Sequence, residues 1–244
     1  MKRRAFLAAL PFAAAVAHAQ NVDRPDMRPG DRQSGASFAS RSTVWGANGA
    51  VATAHPMATM IGVDILKRGG SAVDAAIAAN VALGFLEPTA NGIGGDAFCL
   101  LWDPKQKKVV GLNGSGRSPA KLTLETLRSR ATKTGEVPAL GAASISVPGA
   151  VDAWWTMHKR YGKLPWKDLF EPAAALAEKG TPVPQAIAML MERGMNRYLA
   201  PGSGVEETEN IRKIYLTRGR TPPEGEIFRN ADLARTLRAI GRGG

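Results

Sequence analysis

The chain has 244 residues, of which 44% are hydrophobic, so it can bury one sizeable core, and its single cysteine excludes an internal disulfide. The formal net charge is +11, but the Lys and Arg residues are scattered and no aromatic-rich stacking motif accompanies them. This pattern favours solvated surface charge over a nucleic-acid-binding surface. His55 and His158, the histidines that follow the first 19 residues, lie far apart in the sequence. We therefore expect neither a metal site nor a cofactor.

The N-terminus predicts a cleavable export signal over residues 1–19. Residues 1–4 are basic, residues 5–16 form a short apolar run, and residues 17–19 fit a small-residue cleavage site. The paired arginines suit a twin-arginine signal, with a Sec signal as the alternative. The export signal predicts a periplasmic or secreted protein. Because a membrane-spanning helix needs about 20 apolar residues and this run is shorter, we expect no stable membrane anchor. Residues 20–43, rich in Pro, Asp, Arg, Gly and Ser, predict an extended or disordered arm.

Two helices are predicted between residues 56 and 87, after a short strand-like stretch at residues 44–54. Pro56 suits a first helical turn, apolar residues recur at helical spacing, and Gly69-Gly70 supplies the stop. Ser71 opens the second helix, with Asp74 three residues on as in a capping box. This second helix is small and apolar on nearly every side, which predicts that it is buried.

A β-hairpin follows. Residues 97–102 are apolar at six successive positions, which predicts a strand covered on both faces, and residues 109–112 predict an antiparallel return strand. Such a sheet needs a layer on each side, so we expect a stacked α/β (α+β) architecture. Cys99 lies inside the apolar run, which favours a buried, inert thiol over a nucleophile.

Three further helices are predicted, at residues 148–161, 166–178 and 232–240. The loop Gly92-x-Gly94-Gly95 precedes a strand and lacks a Walker lysine, so a tight turn is favoured over a phosphate cradle. No G-x-S-x-G elbow or histidine triad context is present. Arg117, in the loop after the return strand, is able to bind a carboxylate, although its local context alone favours an ordinary surface arginine.

Several of these motifs together resemble the γ-glutamyltransferase (γ-glutamyl transpeptidase) family. The resemblance covers about residues 44–244, and its specific part is Gly-Gly-x-Ala-Val-Asp-Ala-Ala at residues 69–76. The other matching motifs are Ala54-His55-Pro56, Asn91-Gly92-Ile93-Gly94-Gly95-Asp96, Ser118-Pro119-Ala120 and Val147-Pro148-Gly149.

The resemblance implies an N-terminal nucleophile hydrolase with an αββα sandwich, made as one precursor that cleaves itself into two subunits. The nucleophile of such enzymes is the new N-terminal threonine of the small subunit, whose own amine is the base, so no histidine is needed. The chain has no Thr-Thr-His-like segment, and its closest string is Thr132-Lys133-Thr134. We therefore expect residues 44–244 to be the N-terminal part of the large subunit. On this interpretation the sandwich is incomplete, no catalytic residue is present, and the missing small subunit is the partner.

The resemblance also bears on the substrate. The arginine that holds the glutamyl α-carboxylate lies four residues before the motif proline, a position that Ser115 occupies here. Arg117 is two residues later, and strand alternation predicts the same face at a displacement of about 6 to 7 Å. Ser115 and Arg117 are thus the substrate-binding candidates. The expected reaction is cleavage of γ-glutamyl amides such as glutathione, with transfer to water or an amine. The alternatives are an acylase or amidohydrolase of the same family acting on glutaryl or other acyl amides, and an exported binding protein or fragment without catalysis.

Overall fold

A computed structural model of the chain describes residues 44–243. The predicted signal at residues 1–19 and the predicted arm at residues 20–43 lie outside the described residues. The elements run in the order α1 (Pro56–Lys67), α2 (Ala72–Leu86), β1 (Ala97–Asp103), β2 (Lys108–Gly114), α3 (Leu124–Ser129), a short 3-10 turn (Ala142–Ser144), α4 (Ala150–Tyr161), α5 (Trp166–Lys179), β3 (Thr181–Pro182), α6 (Gln185–Tyr198), α7 (Thr208–Tyr215), β4 (Ile227–Phe228) and α8 (Ala231–Gly243).

Local capping fixes the ends of α1 and α2. The His55 ring precedes α1, and its Nδ1 accepts a hydrogen bond from the Met57 backbone at 3.2 Å. The predicted capping box of Ser71 and Asp74 is present at the start of α2. Both helix predictions are confirmed. The predicted strand-like stretch at residues 44–54 is wrong, because the structure forms no strand there and pairs it with no neighbour.

The core is built around α2. Ten of its fifteen residues are buried, so the prediction of a buried second helix is confirmed. Helix α5 presents an apolar face of Leu169, Phe170, Ala173 and Ala177 to α2 and α8, and these four side chains are fully buried. Small side chains let the helices approach closely, which explains the alanine-rich composition of α2.

Strands β1 and β2 form an antiparallel hairpin whose register runs from Ala97 opposite Gly114 to Asp103 opposite Lys108. The predicted burial of both faces is wrong. Alternate side chains of β1 point away from the helices, and Phe98, Leu100 and Trp102 are 69%, 84% and 58% exposed. Successive strand residues face opposite sides, and among residues 44–243 the helices cover one side of this hairpin.

The end of the hairpin is tied to α4. Asp103 Oδ1 accepts hydrogen bonds from the backbones of Lys105 and Gln106 at 2.9 and 3.1 Å, and these close the turn between the two strands. Its other oxygen accepts one from the Tyr161 hydroxyl at 3.2 Å. These hydrogen bonds hold the pKa of the Asp103 carboxyl below its usual range. Within residues 44–243 no helix combines the length and apolar character that crossing a membrane requires.

Candidate functional site

Three loops meet at the N-terminus of α4: residues 92–96 before β1, residues 115–118 after β2, and residues 146–149 before α4. The Gly95 carbonyl accepts hydrogen bonds from the backbones of Gly149 and Ala150 at 3.1 and 3.0 Å. The Val147 backbone donates to the Arg117 carbonyl at 2.9 Å. The first amides of a helix have no partner within the helix, so the Gly95 carbonyl satisfies the Ala150 amide here and fixes the first loop to α4. We call this the three-loop site.

Glycines make the close approach of these loops possible. A Cβ at Gly116 would overlap the Val147 carbonyl oxygen, and one at Gly149 would overlap the Gly114 carbonyl oxygen. Gly92 and Gly94 by contrast face open space, with nothing within 4 Å of a Cβ placed there. The tight turn predicted at Gly92 to Gly95 is confirmed, since Gly95 donates to the Gly92 carbonyl at 3.4 Å. The close backbone contacts, however, lie at the glycines of the other two loops.

Both predicted substrate-binding residues lie in the second loop. Strand β2 ends at Gly114, and the Asn113 side chain accepts a hydrogen bond from the Ser115 backbone at 2.9 Å, so the chain turns out of the sheet. Ser115 and Arg117 therefore lie outside the strand, and the prediction that they share a strand face is wrong. Both side chains are exposed, and the Arg117 guanidinium has no hydrogen bond or ion pair with any residue that the structure describes.

Asp96 is a site residue that the sequence reasoning missed. Its Oδ1 lies 3.3 Å from the Gly116 backbone nitrogen and 3.5 Å from the Ser146 hydroxyl, both of which donate to it. The side chain thus joins the first loop to the other two. The available signal was a carboxylate placed directly after a glycine turn and directly before a strand, where its side chain is free to bind neighbouring backbone amides.

A cavity of about 940 Å³ adjoins the three-loop site. Residues 90–96 form part of its lining, and β1, α2 and α8 supply most of the remainder. Cys99 lines it and is half-buried, where full burial was expected. Partial burial raises the pKa of the Cys99 thiol, which lowers its thiolate fraction and therefore its reactivity as a nucleophile.

The rings of His55 and His158 both contact backbone groups near the ends of helices. Burial lowers the pKa of His55, and the nearby charge of Glu87 opposes this effect. His158 Nε2 lies 2.8 Å from the Leu164 carbonyl oxygen and 3.7 Å from Asp74 Oδ1. Among residues 44–243, no group of three or more His, Cys, Asp or Glu side chains is arranged to hold a metal ion.

Comparison with known proteins gives one consistent result. The family model described as Gamma-glutamyltranspeptidase matches residues 58–244. A glutathione hydrolase-like YwrD proenzyme of Bacillus subtilis is 34% identical over 203 residues, which cover 83% of this chain and 37% of that protein. Human glutathione hydrolase 7 is 34% identical over 197 residues, 80% of this chain and 28% of its own length.

Solved structures agree in fold. A cephalosporin acylase from Bacillus halodurans superposes with a TM-score of 0.77 at 40% identity, over 87% of this chain and 39% of that chain. The γ-glutamyltranspeptidase of Helicobacter pylori gives a TM-score of 0.71 at 30% identity, over 82% of this chain and 56% of its own. The chain spans about a third of the length of the curated relatives that it matches.

Proposed function

Because the chain belongs to the gamma-glutamyltranspeptidase family, we propose that it is the first part of a self-processing precursor that cleaves γ-glutamyl or related amides and transfers the acyl group to water or an amine. The fold of the family, an N-terminal nucleophile hydrolase sandwich, is only partly covered by this chain. The family is enzymatic, and the proenzyme names of the relatives agree with self-processing.

The availability of Arg117 carries the proposal. Its backbone is held by the 2.9 Å hydrogen bond from Val147, while its guanidinium is exposed and unengaged within residues 44–243. A planar guanidinium binds a carboxylate through two parallel hydrogen bonds, which fixes orientation as well as supplying charge. Arg117 would therefore bind the carboxylate of the acyl donor. Ser115, exposed in the same loop, would add a hydroxyl donor.

The attacking hydroxyl would come from a further part of the precursor. The exposed apolar face of β1, made by Phe98, Leu100 and Trp102, supports a second layer of polypeptide against this hairpin. Covering such a face is favourable by about 25 cal/mol for each Å² removed from water. We propose that the small subunit of the same precursor supplies both this layer and the nucleophile.

An acylase acting on glutaryl or other acyl amides is the second candidate. The observation in its favour is the 40% identity to the Bacillus halodurans cephalosporin acylase, together with Ser115 at the position where the resemblance expects the glutamyl-binding arginine. A γ-glutamyl donor and a glutaryl donor differ by one α-amino group. Comparing their kcat/KM values therefore separates the two candidates.

The decisive experiment is Arg117→Ala in the complete precursor that contains this chain. Loss of a charge-assisted pair of hydrogen bonds, about 1.5–3 kcal/mol, should raise KM for an anionic anilide donor by about 10- to 150-fold. Arg193→Ala, at an exposed arginine on α6, is the matched control and should leave KM unchanged. An unchanged KM in Arg117→Ala removes Arg117 from the site. Assays with and without an acceptor dipeptide then separate transfer from hydrolysis.

We also propose export to the periplasm or medium through residues 1–19. Replacing Arg3 and Arg4 together with lysine should block a twin-arginine route and leave precursor in the cytoplasm. Continued export of this variant, measured by cell fractionation, would instead assign the Sec route.

A further inference from the structure

We propose that Asp96 is a positioning residue for substrate binding: it holds the Ser115 to Arg117 segment against the start of α4, so that Arg117 meets the substrate carboxylate in one orientation. This inference rests on the proposed function of Arg117. It assigns a role to a side chain that neither contacts the carboxylate nor pairs with the arginine.

The backbone of Asp96 is anchored on both sides. The preceding Gly95 carbonyl accepts hydrogen bonds from the backbones of Gly149 and Ala150 at the start of α4, and the following Ala97 pairs with Gly114 at the end of the hairpin. The Asp96 side chain is therefore presented from a fixed backbone. From there its Oδ1 receives the Gly116 backbone amide at 3.3 Å and the Ser146 hydroxyl at 3.5 Å.

The hydrogen bond from the Gly116 amide to Asp96 restrains a residue that has no Cβ. Without a Cβ, glycine explores more backbone conformations than any other residue, and Gly116 lies directly before Arg117. The hydrogen bond from Val147 holds the far side of Arg117 at its carbonyl, and Asp96 holds the near side at the Gly116 amide. Without the Asp96 contact, the near side of the segment would be held only by the Ser115 amide, which donates to the Asn113 side chain at 2.9 Å, and Gly116 would lose its own tether. A misplacement of about 1 Å in a binding group is able to cost about 100-fold in rate.

The charges around Asp96 agree with a role in positioning the loop and not with an ion pair to Arg117. No Lys or Arg nitrogen of residues 44–243 forms an ion pair with Asp96, and Arg117 is therefore not neutralised by it. An ion pair between the two would compete with the substrate carboxylate. Because Asp96 is exposed, its two long hydrogen bonds add little to the free energy of unfolding. Their main consequence is the position of the loop.

The test uses the complete precursor and an anionic anilide donor. Asp96→Ala should raise KM by about 5- to 50-fold and change kcat by less than about threefold. Asp96→Asn keeps an oxygen acceptor at the same place and should restore KM to within about threefold of the unmodified enzyme. Ser146→Ala removes one donor and should give a smaller rise. The exposed Asp152 on α4 provides the matched control, Asp152→Ala, with no effect on KM.

A double-mutant cycle shows whether Asp96 acts through Arg117. Once Arg117→Ala has removed the guanidinium, adding Asp96→Ala should raise KM no further. Fully additive effects would overturn the inference, and so would an Asn variant as impaired as the Ala variant. An unchanged KM in Asp96→Ala, beside a raised KM in Arg117→Ala, rejects the role of Asp96 alone.

Failure of the proposed function gives a different pattern. If Arg117→Ala leaves KM unchanged, the carboxylate site itself is rejected, and a raised KM in Asp96→Ala then contradicts action through Arg117. If the precursor turns over neither the γ-glutamyl nor the glutaryl donor, the test is glutarate binding, measured by calorimetry. Asp96→Ala and Arg117→Ala should then each raise the Kd for glutarate, and an unchanged Kd in Asp96→Ala overturns the inference.

Discussion

Asp74→Ala removes a fully buried carboxylate that joins α2 to the segment between α4 and α5. Asp74 Oδ2 accepts three backbone hydrogen bonds, from Ser71 at 2.8 Å, Lys163 at 2.9 Å and Leu164 at 3.2 Å. Alanine offers no acceptor, so three amides lose their partner at once. Lys163 and Leu164 lie 89 and 90 residues after Asp74 in the sequence. The substitution thus tests whether a single side chain couples two segments that are far apart in the chain.

The expected magnitude follows from these three amides. A fully buried donor without a partner costs about 1–3 kcal/mol, so about 3–9 kcal/mol is the upper bound for these three part-buried hydrogen bonds. Water entering the space left by the carboxylate satisfies part of this demand, and we expect a loss of about 3–6 kcal/mol in the free energy of unfolding. Natural domains are stable by only about 5–15 kcal/mol, so Asp74→Ala should leave the fold marginal. Asp74→Asn keeps an acceptor but loses the charge, and about 1–3 kcal/mol is expected.

Urea unfolding followed by tryptophan fluorescence measures the effect, because Trp154 and Trp166 are buried in the same core. The control is Asp152→Ala, at an exposed carboxylate in the first turn of α4, with an expected change of at most about 1 kcal/mol. A loss below about 1 kcal/mol in Asp74→Ala would refute the reasoning. It would mean that the three amides find other partners at little cost.

The remaining predictions concern pH, loop contact and the sheet. Burial lowers the pKa of His55, so the unfolded chain binds the proton more readily. The free energy of unfolding should therefore fall as pH drops below about 7, through the unfolded value of about 6.5, and level off below the folded pKa; urea titrations from pH 8 to 5 should show this slope reduced in His55→Gln. Gly116→Ala, which forces a Cβ onto the Val147 carbonyl, should destabilise the protein by about 1–3 kcal/mol in urea unfolding and raise KM, whereas Gly94→Ala, in open space, should leave the free energy of unfolding unchanged. Leu100 is on the exposed apolar face of β1, so Leu100→Ser in the 244-residue chain should reduce self-association, measured by light scattering, and leave the free energy of unfolding unchanged. Leu101 is on the covered face, so Leu101→Ser should lower the free energy of unfolding by about 1–2 kcal/mol. Equal destabilisation by the two substitutions would contradict one-sided burial of β1.

Helix boundaries were predictable because their signals are local. The glycines at 69 and 70 mark the end of α1, and the capping box of Ser71 and Asp74 marks the start of α2. Each signal acts within one helical turn and does not depend on the rest of the chain. The burial of β1 was not predictable. Six successive apolar residues are compatible with one covered face or two, since a strand places neighbours on opposite sides and the covering layers come from distant segments.

The candidate site divides in the same way. Local residue patterns were enough to predict the family resemblance, five of the helices (α1, α2, α4, α5 and α8) and the loop that carries Ser115 and Arg117, because each depends on residues close together in the chain. Tertiary structure alone decided that Asp96 meets Gly116 and Ser146, which are 20 and 50 residues away. It also decided that the chain leaves the sheet at Gly114, before Arg117. Contacts of this kind depend on how separate loops are brought together by packing on α4, and no local pattern of residue types encodes that geometry.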